Sequence, residues 1–300
     1  MFRKPCSLSG RILFLICTLG ILSALLLPVS ARPPEAAAAS EKKTEGADPI
    51  HILLIGQDRR EEDTVSRADS ILLCTFHPED AKIIITSFLR DLYVPIPGYP
   101  SNRLNAAYAH GGMSLLRQTL EENFAVPIDG CIEVDFNQFA QVLDILGGVT
   151  IVLRQDEADT INEAVPGELT AGSQKLNGSQ ALAYTRIRKL DEDGDFSRTN
   201  RQRNVISALL GSYQEASLLT VLSIIPKVMP MLSTDMEQRQ VVATIIQLLP
   251  MLSSCTVRSQ QIPAADAYSF ETIRGMSVLT ADLEEIRQNL AQILSPGNEN

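Results

Sequence analysis

The sequence predicts a single α/β domain, with a central mixed β-sheet covered by helices on both faces, preceded by one N-terminal transmembrane helix. Three observations predict it. Short, nearly continuous apolar runs bounded by turn residues recur between Ile50 and Ser87, the pattern of strands buried on both faces. From Ser114 onward apolar residues return at helical spacing, as on helices that lay one stripe against a core. Ile12 to Val29 is an uncharged apolar run behind Arg3, Lys4 and Arg11.

That N-terminal run has 18 residues, and at a helical rise of about 1.5 Å it nearly crosses a bilayer core. The basic residues place residues 1–11 in the cytoplasm, make 12–29 the anchor and send the rest outside. A cleaved signal peptide competes, since Val29-Ser30-Ala31 resembles a small-residue cleavage site, but the apolar run is longer than a signal needs. Either way the chain beyond it is exported. Residues 30–48 are Ala-, Glu-, Lys- and Pro-rich without apolar periodicity, as expected of a flexible linker. Residues 49–295 are the expected folded domain.

Within that domain, Ile50 to Ile55, Ser70 to Phe76 and Lys82 to Ser87 read as buried strands, the last two separated by the turn His77-Pro78-Glu79-Asp80. Tyr93 to Ile96 is a short fourth strand stopped by Pro97-Gly98. His110-Gly111-Gly112 reads as a turn. Helices are expected over Ser114 to Phe124 and Phe136 to Leu146, where Phe139, Val142, Leu143 and Leu146 share a face before the stop at Gly147. A strand over Val149 to Leu153 precedes an irregular Pro/Gly-containing stretch and a short helix over Ser179 to Tyr184. Helices at Ser197 to Tyr213, Leu218 to Met229 and Glu237 to Leu249, a strand at Thr256 to Gln261 and a closing helix at Ala281 to Leu294 complete the domain. Strands interleaved with helices imply one covered central sheet.

Composition narrows the chemistry. A net charge of −10 excludes a general nucleic-acid binder, yet leaves room for an anionic ligand held by local charge. The five scattered cysteines read as small buried hydrophobes, with no disulfide framework or zinc site. The nucleotide, serine-hydrolase and zinc-protease signatures are absent, and three histidines give little support to a histidine mechanism. Asp191 to Asp195 resembles the start of a calcium loop but has Phe196 where glycine is required and Gln202 where a bidentate carboxylate belongs. A solvated acidic loop is the expectation there.

Arginines and aspartates, by contrast, gather at strand ends. Asp58 follows the first strand, Arg67 and Asp69 precede the second, and Arg90-Asp91 follows the third. Groups at strand ends converge on one rim of an α/β sheet, where ligands bind, and paired carboxylates there suit Mg²⁺ completed by substrate phosphates. A second cluster comprises Arg186, Arg188, Arg198, Arg201 and Arg203, with Arg198, Arg201, Gln202 and Val205 on one helical face. Guanidiniums at the start of a helix suit a diphosphate, since they bind phosphate bidentately where the dipole already favours anions. The bland reading pairs them with the acidic loop. The residues alone therefore imply a phosphorylated ligand, possession of a divalent metal as an option, and no defined reaction.

The stretch Ile52 to Leu210 resembles the LytR-CpsA-Psr family of cell-envelope proteins. The matching pieces are Leu53-Leu54-Ile55-Gly56-Gln57-Asp58, Arg67-Ala68-Asp69-Ser70, Ser87-Phe88-Leu89-Arg90-Asp91 and Arg103-Leu104-Asn105-Ala106-Ala107-Tyr108 before Gly111-Gly112. They continue with Leu146-Gly147-Gly148-Val149, the run Leu176 to Tyr184, Arg186-Ile187-Arg188 and the run Asp195 to Gln202. The resemblance implies a phosphotransferase that moves an anionic glycopolymer, such as teichoic acid or capsular polysaccharide, from undecaprenyl pyrophosphate to peptidoglycan. It further implies an apolar tunnel for the lipid and a single-pass location in the bacterial membrane with the catalytic domain outside. On matching positions it implies Asp58 and Asp69 as ligands of Mg²⁺, with Mn²⁺ as a substitute, and Arg67, Arg90, Arg186, Arg188, Arg198, Arg201 and Gln202 around the pyrophosphate. Arg67, Arg90, Asp91 and Arg198 are the implied catalytic set, and Arg103, Asn105 and Tyr108 further substrate contacts. Asp91 is either the base for the acceptor hydroxyl or an orienting partner of Arg90; the second is favoured, because a carboxylate held by arginine is a poor base. Arg103 stands where the family often has lysine, and the loop Lys189 to Gly194 is longer and more acidic than usual. A lipid-pyrophosphate hydrolase and a non-catalytic envelope regulator are the competing readings.

Overall fold

The computed structural model describes residues 48–57, 67–188, 190–191, 195–214 and 218–295. The expected membrane segment at 12–29 and most of the linker lie outside these residues. Among the described residues, no helix is long and apolar enough to cross a membrane.

The apolar runs form the strands their pattern predicts: β1 (Ile50–Gln57), β2 (Ala68–His77) and β3 (Lys82–Phe88), followed by the short hairpin β4 (Tyr93–Ile96) and β5 (Tyr99–Arg103). Next come α1 (Leu104–Phe124), β6 (Gly130–Asp135), α2 (Phe136–Ile145), β7 (Val149–Leu153), α3 (Gln155–Ala164), β8 (Gly172–Leu176) and α4 (Gly178–Arg186). The last part holds α5 (Asp195–Ser212), α6 (Leu218–Val228), β9 (Ser233–Thr234), α7 (Gln238–Leu252), β10 (Thr256–Ile262), the hairpin β11 (Ser269–Ile273) and β12 (Met276–Thr280), and α8 (Leu283–Ile293). The expected turn at Gly111-Gly112 is a break inside α1. Gly112 has φ of 61° and both glycines leave helical geometry, a conformation glycine adopts without steric cost. The stretch expected to be irregular after Val149 to Leu153 is instead α3 and β8. Its helix buries only Glu157, Ala158 and Ile161, too narrow a stripe to stand out in the sequence.

The central sheet has the order β10-β3-β2-β1-β6-β9. β2 is antiparallel to β1 and β3, while β6 runs parallel to β1 and β10 parallel to β3. The sheet is therefore mixed, and β1, β3, β6 and β10 all point one way. On one face Leu53, Ile55, Ile71, Leu73, Ile84 and Phe88 pack with Leu116, Leu120 and Phe124 of α1 and Ile286 and Leu290 of α8. On the other, Leu72, Cys74, Ile83 and Ile85 meet Leu248 and Met251 of α7, with Ile206 and Leu210 of α5 against them. Alternate residues of each strand feed the two cores, which is why the runs look continuous rather than alternating. A third cluster joins β7 and β8 to α2, α3, α4 and α5. There a Cβ on Gly178 would lie 1.9 Å from the carbonyl oxygen of Ala140, so only glycine lets α4 approach α2 this closely.

Cys74, Cys131 and Cys255 are buried free thiols, and burial pushes Cys74 up to about 12. They behave as the small hydrophobes expected of them.

Candidate functional site

Because β1, β3, β6 and β10 run the same way, their carboxyl ends share one rim, and the start of antiparallel β2 joins them. The pairing of Gln57 with Ala68 and with Asp135, and of Ile262 with Phe88, brings the ends of all five strands into line. The rim thus gathers Asp69 from the start of β2, Arg90 just past β3, and Gln57 at the end of β1.

Asp69 and Arg90 meet directly. Arg90 Nη1 donates to Asp69 Oδ1 at 2.5 Å, with each side chain 20% exposed. The guanidinium also faces Asp91, Nε to Oδ2 being 3.6 Å, and Asp91 Oδ1 lies 3.4 Å from Arg103 Nε. Asp91 therefore sits between two arginines. Arg103 is fixed from behind, donating through Nε and Nη2 to the carbonyl of Ser277 in β12 at 3.0 and 2.5 Å. The backbone closes the same turn, Asn105 N donating to the carbonyl of Arg90 at 3.1 Å. Tyr108 donates to Gln57 Oε1 at 3.1 Å, and Gln57 Nε2 donates to Glu133 Oε1 at 2.6 Å. The motif residues of α1 thus brace the rim from beneath.

The arginines of the second cluster divide. Arg186, exposed at the end of α4, lays its guanidinium over the ring of Phe136, 4.4 Å from its centre. Phe136 immediately follows β6, so this contact brings Arg186 to the rim. Arg67 and Arg188 are exposed. Arg198, Arg201 and Gln202 are 3%, 3% and 9% exposed along α5, on the single face their spacing predicts. Arg201 is engaged within the protein: Nε donates to Glu157 Oε1 at 2.8 Å, Nη1 to the carbonyl of Ile187 at 3.3 Å, and Nη2 pairs with Asp191. Burial opposes the charge on Arg201, but the bonds from Asp191 and Glu157 outweigh it and raise the pKa. Asp191, expected in a solvated loop, is instead tied to both Arg201 and Arg154. Burial alone would raise its pKa, but the two arginines hold it below the ordinary value.

Two buried residues beside the site carry no clear signal in the sequence. Glu157 lay in the stretch read as irregular, although a carboxylate at the third position of a helix is a capping signal, and its Oε2 does accept from Arg154 N at 3.0 Å. Arg203 stood in the basic cluster without a role, and it is 6% exposed beside Ser87 of β3.

Asp58 lies outside the described residues, and among those described no group of three or more His, Cys, Asp or Glu could hold a metal ion. A single rim carboxylate is compatible with Mg²⁺, which is commonly held by one or two carboxylates with substrate phosphates completing its shell. Asp69 presents a partly exposed carboxylate at a rim rich in arginine.

Beyond the arginines, α5 changes character. Leu209, Leu210 and Tyr213, with Val221, Ile225 and Val228 of α6 and Val241 and Ile245 of α7, line a cavity of about 290 Å³ with almost no polar wall. From Arg198 to Leu209 is 11 residues of one helix, roughly 16 Å at 1.5 Å per residue.

Residues 29–293 match the model of the LytR_cpsA_psr family. A polyisoprenyl-teichoic acid–peptidoglycan teichoic acid transferase, TagU, of Bacillus licheniformis is 38% identical over 178 residues, 58% of this chain and 55% of TagU. The chain spans about half the length of the curated relatives it matches. A solved structure of TagT bound to LIIa-WTA superposes with a TM-score of 0.67 at 28% identity, covering 85% of this chain and 94% of TagT. The YwtF (TagT) structure with bound octaprenyl pyrophosphate lipid gives 0.63 at 25% identity, with the same coverage of both chains.

Proposed function

The chain belongs to the LytR-CpsA-Psr family, and from that premise we propose that it is a membrane-anchored phosphotransferase moving an anionic glycopolymer from undecaprenyl pyrophosphate to peptidoglycan outside the cell. One observation carries this reading: a single helix, α5, runs from buried arginines at the sheet rim to a wholly apolar cavity. That is the shape of a ligand with a multiply charged head and a hydrocarbon tail. Relatives named as teichoic acid transferases and a neighbour holding a polyprenyl pyrophosphate support it.

In this reading the pyrophosphate lies at the rim against Arg90, Arg186 and Arg198, with Arg67, Arg188 and Gln202 at its margins. Phosphoryl transfer depends mainly on positioning and on neutralising charge at the transferring group, so guanidiniums suffice without a covalent nucleophile. The acceptor hydroxyl forms a new P–O bond to the sugar-linked phosphorus. The bond to the bridging oxygen breaks, polyprenyl phosphate leaves, and the hydroxyl proton passes to a base or to water. Mg²⁺ held by Asp69, with Asp58 as the expected second ligand, would add a positive charge at the phosphates. Asp91 acts as a positioning residue, because its carboxylate lies between the guanidiniums of Arg90 and Arg103. Arg201 serves the site indirectly, by pinning the loop before α5 through Asp191.

The test is to incubate the full-length chain with a polyprenyl-pyrophosphate-linked saccharide and peptidoglycan oligomers and to follow phosphorus by mass spectrometry. Saccharide phosphate attached to the oligomer supports transfer. Free saccharide phosphate with an unmodified acceptor makes the chain a hydrolase.

A further inference from the structure

At the outer edge of the same rim lies a second cavity, of about 630 Å³, between the start of α5, the end of β10 and α8. Its position follows from the topology. β10 is two strands from β2, so at about 4.8 Å per strand the cavity begins roughly 10 Å from Asp69.

Its lining includes one buried charged residue, Arg203. The side chain is 6% exposed, Nη1 donates to Ser87 Oγ, Nη2 donates to Asn200 Oδ1 at 3.2 Å, and Nε has no partner. No carboxylate of the described residues pairs with it. Both partners that it has are neutral, in contrast to Arg201 two residues earlier, which is held by two carboxylates. A buried guanidinium without a counter-charge is costly, and a residue kept in that state awaits an anion. Burial correspondingly lowers its pKa to about 10.

The remaining wall has a different chemistry. Phe196 and Tyr268 stack with ring centres 4.8 Å apart and form an aromatic side to the cavity. Asn200, Gln261 and Asn289 place amides around it. Aromatic rings pack against the C–H faces of a sugar, while amides serve its hydroxyls and N-acetyl groups. Asp282, which caps α8, and Glu285, both exposed at the cavity, disfavour a bare, multiply charged anion and leave the buried Arg203 to receive a single acidic group.

We propose that this cavity is a binding subsite for an anionic saccharide, its ring against Phe196 and Tyr268 and its acidic group on Arg203. Such a ligand has two sources under the transfer reading, on which its identity rests. One is the lactyl-bearing amino sugar of the acceptor glycan where its carboxylate carries no peptide, the other a phosphorylated sugar of the donor polymer. In either case the cavity would hold a saccharide beside the phosphorus undergoing transfer.

Saturation-transfer NMR titrations of the full-length chain with N-acetylmuramic acid, N-acetylglucosamine 6-phosphate and neutral N-acetylglucosamine test it. At least one acidic sugar should bind about 10-fold or more tighter than the neutral one, the discrimination expected of a charge-assisted hydrogen bond. Arg203→Gln should erase that preference, and Tyr268→Ala should weaken acidic and neutral sugars alike. Which acid is preferred separates acceptor from donor. Arg203→Gln removes an uncompensated buried charge and is expected to fold; Tyr268→Ala, at the cavity wall, gives an independent readout. Equal binding of all three sugars, a preference that survives Arg203→Gln, or sugar binding unaffected by Tyr268→Ala overturns the proposal. Binding is read without lipid donor, so a chain that binds acidic sugars but transfers nothing refutes the transfer reading and retains the cavity.

Discussion

Replacing Arg201 by alanine separates a substrate ligand from a structural strut. The guanidinium is 3% exposed and the Glu157 side chain 7%, with 2.8 Å between Nε and Oε1; Asp191, 18% exposed, completes the network. Arg201→Ala leaves the Glu157 carboxylate buried without its counter-charge, a change that costs about 3–5 kcal/mol. At about 2–4 °C per kcal/mol for a domain of this size, the melting temperature should fall by roughly 6–20 °C. Glu157→Gln keeps the shape and leaves Asp191 in place, so about half that loss is expected. Differential scanning calorimetry of both variants at pH 7.5 measures it. If Arg201→Ala melts within about 2 °C of the parent while binding of the lipid pyrophosphate disappears, Arg201 directs its charge at substrate and the strut assignment is wrong.

Three further outcomes are expected. Ile225→Asn places an amide in the apolar cavity; it should raise KM for a long polyprenyl donor by about 10-fold and leave a short-chain analogue unaffected, since a buried unpaired amide costs about 1–3 kcal/mol, and equal effects on both donors would remove the cavity from the lipid path. His77 is buried with both ring nitrogens unpartnered, and burial lowers its pKa. The unfolded chain therefore takes up this proton before the folded one as pH falls below about 6.5; stability should be lost in that window, and His77→Leu should melt with a smaller drop between pH 7.5 and 5.5, an unchanged drop assigning the loss to other groups. Chelation of divalent ions should slow transfer at least ~100-fold and readdition of Mg²⁺ should restore it, as expected for loss of a main electrostatic stabiliser; full activity in chelator would remove Mg²⁺ from the proposal.

The parts of the fold legible in the sequence are those whose side chains face a core. β1 to β3 announce themselves because both faces of each strand are buried, and the later helices because one stripe of each is. β8 (Gly172–Leu176) is polar and alternately exposed, so its pairing with β7 leaves no hydrophobic signature. β6 is half-buried along most of its length and carries Glu133 inward to Gln57, which masks it in the same way. In hairpin β11–β12, β11 is largely solvent-facing and β12 buries only Val278 and Leu279.

The site shows the same division. The spacing of Arg198, Arg201, Gln202 and Val205 places them on one face of α5, and they are all buried there. Spacing cannot say what lies opposite. Glu157, 44 residues away in sequence, distinguishes Arg201 from its neighbours, and only the tertiary arrangement brings it there. The Asp69–Arg90 pair was legible as two strand-end residues, because in the antiparallel pair β2–β3 the start of one strand lies beside the end of the other. The expected solvated loop around Asp191 failed for a complementary reason: Arg154 and Arg201 approach it from two other elements.

Transfer at the arginine rim is measured by the rate at which saccharide phosphate appears on peptidoglycan oligomers, compared among the parent chain, Arg90→Ala and Asp69→Ala. Each variant should be slowed at least ~100-fold while melting within a few degrees of the parent, because both side chains sit partly exposed at the rim. Near-parental transfer by both variants would contradict this and place the reaction elsewhere on the molecule.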